Sequence, residues 1–583
     1  MRTKLIAALL AQGLSGAAAA DGFLRADGQQ IVDGSGAPVI LRGMGLGGWM
    51  LQEGYMLKLG EFGQQHVIRR KIEDLIGPER TGEFYRAWRA NHLREEDIKA
   101  LAGWGYNSVR LPMHYNLYTL PVAQEPVAGE NTWLDTGFEL TDQLLAWCKK
   151  YHLYLILDLH AAPGGQGNDL AISDRDPNKP SLWDSAANRA KTVALWRKLA
   201  ARYKNEPNIA AYDLINEPNW GFSASGDAHG CGEQANWPLR QLYLDITAAI
   251  RAEDQRHMLV IEGNCWGNNY ASVLPPWDAN MALSFHKYWN NNDRASIADK
   301  LALRERYDVP LWLGESGENS NAWFADAIEL VEGQGIGWAF WPLKKIGFNN
   351  PLEITPNPGY RKLLAYWKDG GPKPSPEEAY AALMQLARED IRFANNRQHI
   401  DVVDAMLRQP HSDSTRPFRT HKVGAAGAII SAADYDLGRP GRAYADTDLA
   451  NYHVSTGGPR TPWNRGRIYR NDGVDLAATD DGNIVVTDMA AGEWLQYTLQ
   501  VVRTGRYRIT ALLDNADADT ALSVSAGDSA TELHAAQLAN RNDIAPARTQ
   551  PSATIELQKG TQKIRIKVES GAPALRQLRI EPL

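Results

Sequence analysis

Cysteine is scarce in this chain of 583 residues: Cys148, Cys231 and Cys265 are the whole supply. Three are too few for a disulfide framework, and their spacing fits no zinc pattern, so small cross-linked scaffolds and zinc modules are excluded. Cys148 sits in the helical stretch Leu144-Leu145-Ala146-Trp147-Cys148 and is expected to be a buried free thiol. Cys231 and Cys265 fall in loops and could pair in an oxidising compartment. Long basic runs are also lacking. The formal net charge is −7, and with no basic stripe to neutralise phosphates, nucleic acid is not an expected partner. Beyond the N-terminus no apolar run approaches the ~20 residues of a membrane span, and there is no internal repeat or low-complexity array.

What is present starts with an export signal. Met1, Arg2 and Lys4 give a basic start, Leu5 to Leu10 an apolar core, and Ala18-Ala19-Ala20 a small-residue exit. Residues 1–20 therefore read as a signal peptide cut after Ala20, and the mature protein is expected to be secreted or periplasmic. Nineteen Trp and 22 Tyr are many. Most belong to the core, but aromatic faces also suit a neutral ring edged with hydroxyls.

From about residue 39 to 342, short apolar runs alternate with amphipathic stretches. The runs are Val39 to Leu41, Asn107 to Leu111, Leu153 to Leu159, Ile209 to Ile215, Met258 to Glu262, Met281 to Phe285, Val309 to Gly314 and Gly335 to Trp341. Eight strands each trailing a helix predict an α/β fold, a (β/α)8 TIM barrel over residues 21–370, with its chemistry at the C-terminal strand ends. The Pro/Gly-rich stretch 370–376 breaks the alternation. Residues 371–408 then read as a helical extension packed on the barrel, and the polar stretch 409–430 as a linker. Residues 431–583 switch to period-two alternation, as in Trp494 to Val501 and Gln562 to Val568, and predict an all-β sandwich, jelly-roll-like.

Several of the runs end in residues that a barrel interior would not otherwise tolerate. The second carries Arg110, the third ends Asp158-Leu159-His160, the fourth is followed by Asn216-Glu217-Pro218, the sixth by His286-Lys287-Tyr288, the seventh by Glu315, and the eighth ends at Trp341. In a closed barrel these side chains converge on one mouth. Two carboxylates facing each other are what glycosidic cleavage needs, one protonating the leaving oxygen and one attacking the anomeric carbon, which assigns Glu217 as acid/base and Glu315 as nucleophile. Asn216 would bond the sugar 2-hydroxyl, His286 and Tyr288 would tune the carboxylates, Arg110 would hold Glu315 ionised, and Trp341 would be the floor under the sugar. No metal or organic cofactor is needed for that reaction. Calcium in the C-terminal domain is left unassigned, because spacing alone cannot place it.

These residues resemble the retaining glycoside hydrolases of family 5 over roughly residues 30–345. The family's Asn-Glu-Pro matches Asn216-Glu217-Pro218, its nucleophile strand matches Leu313-Gly314-Glu315-Ser316, and its remaining positions match Arg110, His160, His286, Tyr288 and Trp341. A second Asn-Glu-Pro, Asn205-Glu206-Pro207, falls at a helix end. The opening stretch 41–49, ending in Trp49, with Glu53 beyond it, resembles the exo-β-1,3-glucanase branch, which implies that Trp49 and Glu53 bind sugar. The run Glu315-Ser316-Gly317-Glu318-Asn319 is closer to endo-acting β-1,4-glucanases, so both linkages stay open. The resemblance implies a polysaccharide or oligosaccharide substrate and β-glucan hydrolysis with retention. The alternatives are mannan or xylan, transglycosylation, and a non-catalytic glycan-binding protein. The C-terminal domain is similar to carbohydrate-binding modules of family 6, through stretches that include 433–436, 441–446, 469–475 and 491–497. Tyr469 matches the first of that family's two sugar-stacking aromatics, and no Trp follows Trp494 to supply the second.

Overall fold

The computed structural model describes residues 22–223, 226–447, 468–515, 520–526, 536–538 and 550–583. The expected signal peptide, 1–20, lies outside the described residues. Eight strands, β1 (Arg42–Gly45), β2 (Ser108–His114), β3 (Tyr154–Ala161), β4 (Ile209–Asp213), β5 (Met258–Glu262), β6 (Met281–Lys287), β7 (Leu311–Gly317) and β8 (Gly337–Trp341), form a closed parallel barrel with β8 beside β1. The expected TIM barrel is thus observed. No helix among the described residues is long and apolar enough to cross a membrane.

Period two decides what faces inward. On β3, Leu155, Leu157 and Leu159 join the core shared with the surrounding helices, while Tyr154 and Ile156 join a separate cluster with Val260 of β5, Ala282 of β6, Trp312 of β7 and Ala339 of β8. That second cluster fills the barrel, and Leu24 and Ile31 of an N-terminal hairpin belong to it. Continuing the inward parity toward the C-terminal ends gives Arg110, Asp158, His160, Asp213, Glu262, His286 and Trp341. Glu315 has the opposite parity to Trp312. The register between β6 and β7 slips between the Phe285–Leu313 and His286–Glu315 pairs, and this bulge at Gly314 turns Glu315 inward.

The first strand lies at Arg42–Gly45, after the apolar run Val39 to Leu41 that had been expected to form it. Glycine is needed there because a Cβ on Gly45 would stand 2.4 Å from Trp341 Cε3, and one on Gly43 2.7 Å from Ser108 Oγ.

Helix α1 (Gln65–His92) carries a cluster in which Leu75, Ile76 and Trp88 meet Leu363 of α8 (Pro358–Asp369) and Leu383 of α9 (Pro376–Gln385). Between α1 and α8 the helices are α2 (Glu95–Trp104), α3 (Asp135–Tyr151), α4 (Ala186–Tyr203), α5 (Trp237–Arg251), α6 (Ala298–Tyr307) and α7 (Asn321–Glu332), and α10 (Ile400–Leu407) packs against α7. A capping box, Ser375 with Glu378, starts α9 with Pro376 at its first position. Cys148 is buried in α3 with a free thiol, and Cys231 and Cys265 form a disulfide.

The C-terminal part comprises two six-stranded sheets of mostly antiparallel strands. Tyr497, Leu499, Ile564 and Ile566 of one sheet and Ile509, Ala511, Leu578 and Ile580 of the other share one core. The stretch 409–430, expected as a linker, instead enters these sheets through strands His421–Val423 and Ala428–Ser431. Its polar groups are engaged: Gln496 Nε2 donates to Thr415 Oγ1 at 2.8 Å, and the Arg416 and Leu437 backbones exchange hydrogen bonds. A polar segment reads as solvated when its partners lie far away in sequence.

Candidate active site

Arg110, fully buried on β2, is the hub of the barrel mouth. Its guanidinium donates to Asp213 at 3.0 Å, Glu315 at 2.8 Å, the Asn216 side-chain oxygen at 2.7 Å and Glu262 at 3.1 Å, and it lies 3.3 Å from Asp158. One guanidinium therefore faces four carboxylates, a geometry that suits its planar fork of donors. Burial pushes Asp158 and Asp213 well above the usual carboxylate range, against the pull of Arg110.

Glu217 stands on the turn after β4 with φ at +43°, a left-handed conformation that costs a non-glycine residue roughly 1 kcal/mol. Its neighbours fix that turn. The Glu217 N–H donates to Glu262 at 2.7 Å, and Asn219 Nδ2 donates to the Glu217 carbonyl at 2.9 Å. His286 Nδ1 lies 2.6 Å from the Glu217 carboxylate, and its Nε2 lies 3.2 Å from Glu262. Burial raises Glu217 to about 7, with His286 pulling the other way. Burial also opposes charge on His286, but Glu262, Glu217 and Glu315 outweigh it and raise its pKa well above normal. His286 Nδ1–H accordingly donates to Glu217.

Glu315 accepts from Arg110 on one oxygen and from the Tyr288 hydroxyl, also at 2.8 Å, on the other. Both oxygens are thus used as acceptors. An oxygen of Glu217, a ring nitrogen of His286 and an oxygen of Glu315 lie within 4.8 Å of one another. These are donor types that can hold a divalent ion, which would have to displace any proton on the His286 nitrogen that binds it.

Burial lowers His160 to about 3, so its ring is neutral. Nδ1–H then donates to Asp158 at 2.7 Å, and Nε2 accepts from Asn216 Nδ2 at 3.3 Å. This chain, with Asn216 Oδ1 facing Arg110, fixes which way the Asn216 amide points. His160 stacks on Trp341 with centroids 5.0 Å apart. Trp341 lies across Gly45 and Gly47 and donates through Nε1 to the Tyr55 hydroxyl at 2.9 Å.

Above these groups opens a cavity of about 620 Å³ lined by Glu53, Tyr55, Trp266, Trp289, Glu318 and Trp341 among others, with Glu217 and Glu315 in its wall. Burial pushes Glu53 well above the carboxylate range, and the charges of Glu315, Glu318 and Glu217 add to that.

Of the residues singled out in the sequence, Arg110, His160, Asn216, Glu217, His286, Tyr288, Glu315, Trp341 and Glu53 converge here. Trp49 does not: it is 1% exposed, packs in the core shared by the barrel and its helices, and donates its Nε1 to the Arg89 carbonyl. The resemblance of its stretch implied a sugar contact, but the glycines before it, Gly45 and Gly47, accommodate Trp341. Tyr469 lies in the C-terminal part, edge-on to Phe418, with its hydroxyl on Asp434. The second Asn-Glu-Pro ends α4, where Glu206 pairs with Lys149. Glu262 and Asp213 were missed, although a carboxylate ending an apolar strand was a readable signal. Tyr55 and Trp266 sit on short helical turns, Gly54–Leu57 and Asn264–Gly267, and Trp289 on a loop, with no such signal.

Residues 73–346 match the family model described as cellulase (glycosyl hydrolase family 5). A beta-xylosidase of Phanerodontia chrysosporium is 26% identical over 417 residues, covering 64% of this chain and 83% of that one. Endoglucanase C of Acetivibrio thermocellus is 26% identical over 321 residues, 44% of this chain and 85% of that one. A probable glucan 1,3-beta-glucosidase A of Emericella nidulans is 29% identical over 313 residues, 51% of this chain and 71% of that one. Over the barrel the chain is thus similar to the glycoside hydrolases of family 5, and the protein is a glycosidase.

Proposed function

We propose that this glycosidase hydrolyses a β-glucan with retention, Glu217 being the acid/base and Glu315 the nucleophile. The observation that carries this reading is the pairing of two carboxylates with opposite surroundings. Their oxygens lie within 4.8 Å of each other, on the short side of the ~5–5.5 Å separation of retaining enzymes and well under the ~6.5–9.5 Å of inverting ones. Glu217, raised to about 7, keeps its proton in about half of the molecules at pH 7 and in most of them below it. Glu315 is held at both oxygens by Arg110 and Tyr288.

In the first step a Glu315 oxygen attacks the anomeric carbon while the Glu217 proton passes to the departing glycosidic oxygen, leaving a glycosyl ester on Glu315 and a free alcohol. In the second, Glu217 takes a proton from water, whose oxygen displaces Glu315 from the anomeric carbon. Asn216, its amide oriented by Arg110 and His160, faces the sugar 2-hydroxyl, and Trp341 stacks under the ring. Glu315→Gln should abolish hydrolysis of aryl β-glucosides and soluble β-glucans, and proton NMR of the first-formed sugar should show the β-anomer. Persistent turnover by the variant, or an α-product, overturns the reading.

A β-xylosidase reading has its own support, since that relative aligns over more of this chain than the two glucan-cleaving relatives quoted. The ratio of aryl β-glucoside to aryl β-xyloside turnover separates the two. The reading extends to export, supported by the N-terminal pattern and by the disulfide between Cys231 and Cys265, and to a C-terminal domain of carbohydrate-binding-module type, supported by the resemblance of its sequence.

A further inference from the structure

The loop after β7 carries Glu318 into the cavity wall and then starts α7. Its backbone is unusual, with Gly317 at φ +145° and Glu318 at φ +53°. A turn of this kind holds its shape only when its surroundings over-determine it. On the cavity side, Trp289 Nε1 donates to the Glu318 carbonyl at 2.9 Å, and the Glu318 carboxylate meets the Tyr55 hydroxyl. The other side is held by the C-terminal part of the chain. Asn471 Nδ2 donates to the Asn319 carbonyl at 2.8 Å and to Asn321 Oδ1 at 3.1 Å, and the Asn321 N–H donates to the Asn471 carbonyl at 2.9 Å. Asn321 Nδ2 donates to Asp472 at 2.9 Å and to Asp401 of α10 at 2.8 Å, and Asp401 also accepts the Asn471 N–H at 2.7 Å.

All these residues are buried: Asn319, Asn321, Asp401, Asn471 and Asp472 are each at most 2% exposed. The tip is braced from behind, where Arg470 pairs with Asp472 at 2.7 Å and stacks over Tyr435. A buried polar network of this density specifies one arrangement, because each group left unpaired would be costly. A tethered binding module needs no such insertion three residues from Glu318.

We propose that the C-terminal β-domain is a positioning element of the catalytic cleft: Asn471 and Asp472, inserted between the β7–α7 loop and α10, hold Glu318 and Trp289 in the wall that receives substrate. The proposal rests on the glycosidase reading only in taking the cavity as the substrate site. In the full chain, Asn471→Ala should raise KM for a β-gluco-oligosaccharide about five-fold or more, with kcat little changed, and should speed amide hydrogen exchange in residues 316–323. Arg439→Ala is the comparison. Arg439 joins the same domain to α7 through Asp326 and Glu329, farther along the helix, so its loss should lower thermal stability without moving KM. Unchanged KM and exchange in Asn471→Ala, or equal KM shifts in both variants, overturn the proposal. Should Asn471→Ala not fold, native-state exchange of the wild type decides: amides of 319–321 and 470–472 must open together with one denaturant dependence, and separate openings overturn it. A wild type inactive on every β-glycoside would sink the glycosidase reading, while the exchange data would still test the brace.

Discussion

The Glu217 N–H donates to one oxygen of Glu262 at 2.7 Å, while the other oxygen of Glu262 lies 3.1 Å from Arg110 and 3.2 Å from His286 Nε2. Burial opposes charge on Glu262, but His286 and Arg110 outweigh it and hold its pKa below normal. A third glutamate thus supports the turn that presents Glu217 and keeps His286 charged. Glu262→Gln retains an acceptor for the N–H but loses the charge. Removing a charged hydrogen-bond partner of this kind costs about 2 kcal/mol, roughly 30-fold in kcat/KM. Aryl β-glucoside kinetics, with circular dichroism to verify folding, check this; a kcat/KM matching the wild type would exclude Glu262 from a supporting role.

Glu217 at about 7 sets the alkaline side of the activity profile. The first step needs its proton, so kcat/KM should be sustained below that pH and fall as pH rises through it. His286 pulls the Glu217 pKa down, so His286→Asn should move the falling limb upward, by about one pH unit. The pH dependence of kcat/KM measures this, and a downward shift would show that His286 does not act on Glu217 as described.

The same pKa governs stability. A carboxyl raised from its ordinary 4.5 to about 7 by burial binds more protons folded than unfolded between those values, so its contribution worsens as pH climbs across the window and is fully unfavourable above 7. The cost is on the order of 3 kcal/mol. Glu217→Gln lacks it and should gain stability relative to the wild type between pH 5 and pH 8. Denaturant titrations at the two pH values test the sign.

The barrel was legible in the sequence because period two and strand-end polarity are local patterns. Arg110, His160 and His286 announce themselves by interrupting apolar runs. Glu315 does not follow its strand's inward parity and faces the cleft through the bulge at Gly314, which no alternation encodes. Trp49 misled because a resemblance over stretch 41–49 does not say which side chain fills the space that its glycines leave. Polar segments such as Gln409 to Thr420, and Asn471 with Asp472, become structural only through partners distant in the chain, and that information is absent from any window.

Gly45 offers a test of the Trp341 seat. A methyl there would stand 2.4 Å from Trp341 Cε3 and 3.4 Å from the Phe340 carbonyl, so the indole must lift toward the cavity. Gly45→Ala should therefore raise KM for a β-glucoside about ten-fold and quench binding, since an overpacked contact costs about 1–3 kcal/mol. Titration of Trp fluorescence with glucose or cellobiose, alongside kinetics, reports whether the platform has moved.

The disulfide between Cys231 and Cys265 ties the loop after β4 to the loop after β5 across 34 residues. Trp266, next in the chain to Cys265, lines the cavity, stacks on His229 with centroids 4.7 Å apart, and adopts φ +52°. The bond therefore constrains both the unfolded chain and an aromatic wall on the Glu217 side of the cleft. Closing a loop of this length contributes about 4 kcal/mol by chain entropy. Cys231→Ser with Cys265→Ser should lower the guanidinium midpoint accordingly. It should also raise KM more for an oligosaccharide, whose leaving portion reaches Trp266, than for a short aryl glycoside that does not. If stability falls but the two substrates respond alike, the disulfide serves the fold alone and Trp266 is not a substrate contact.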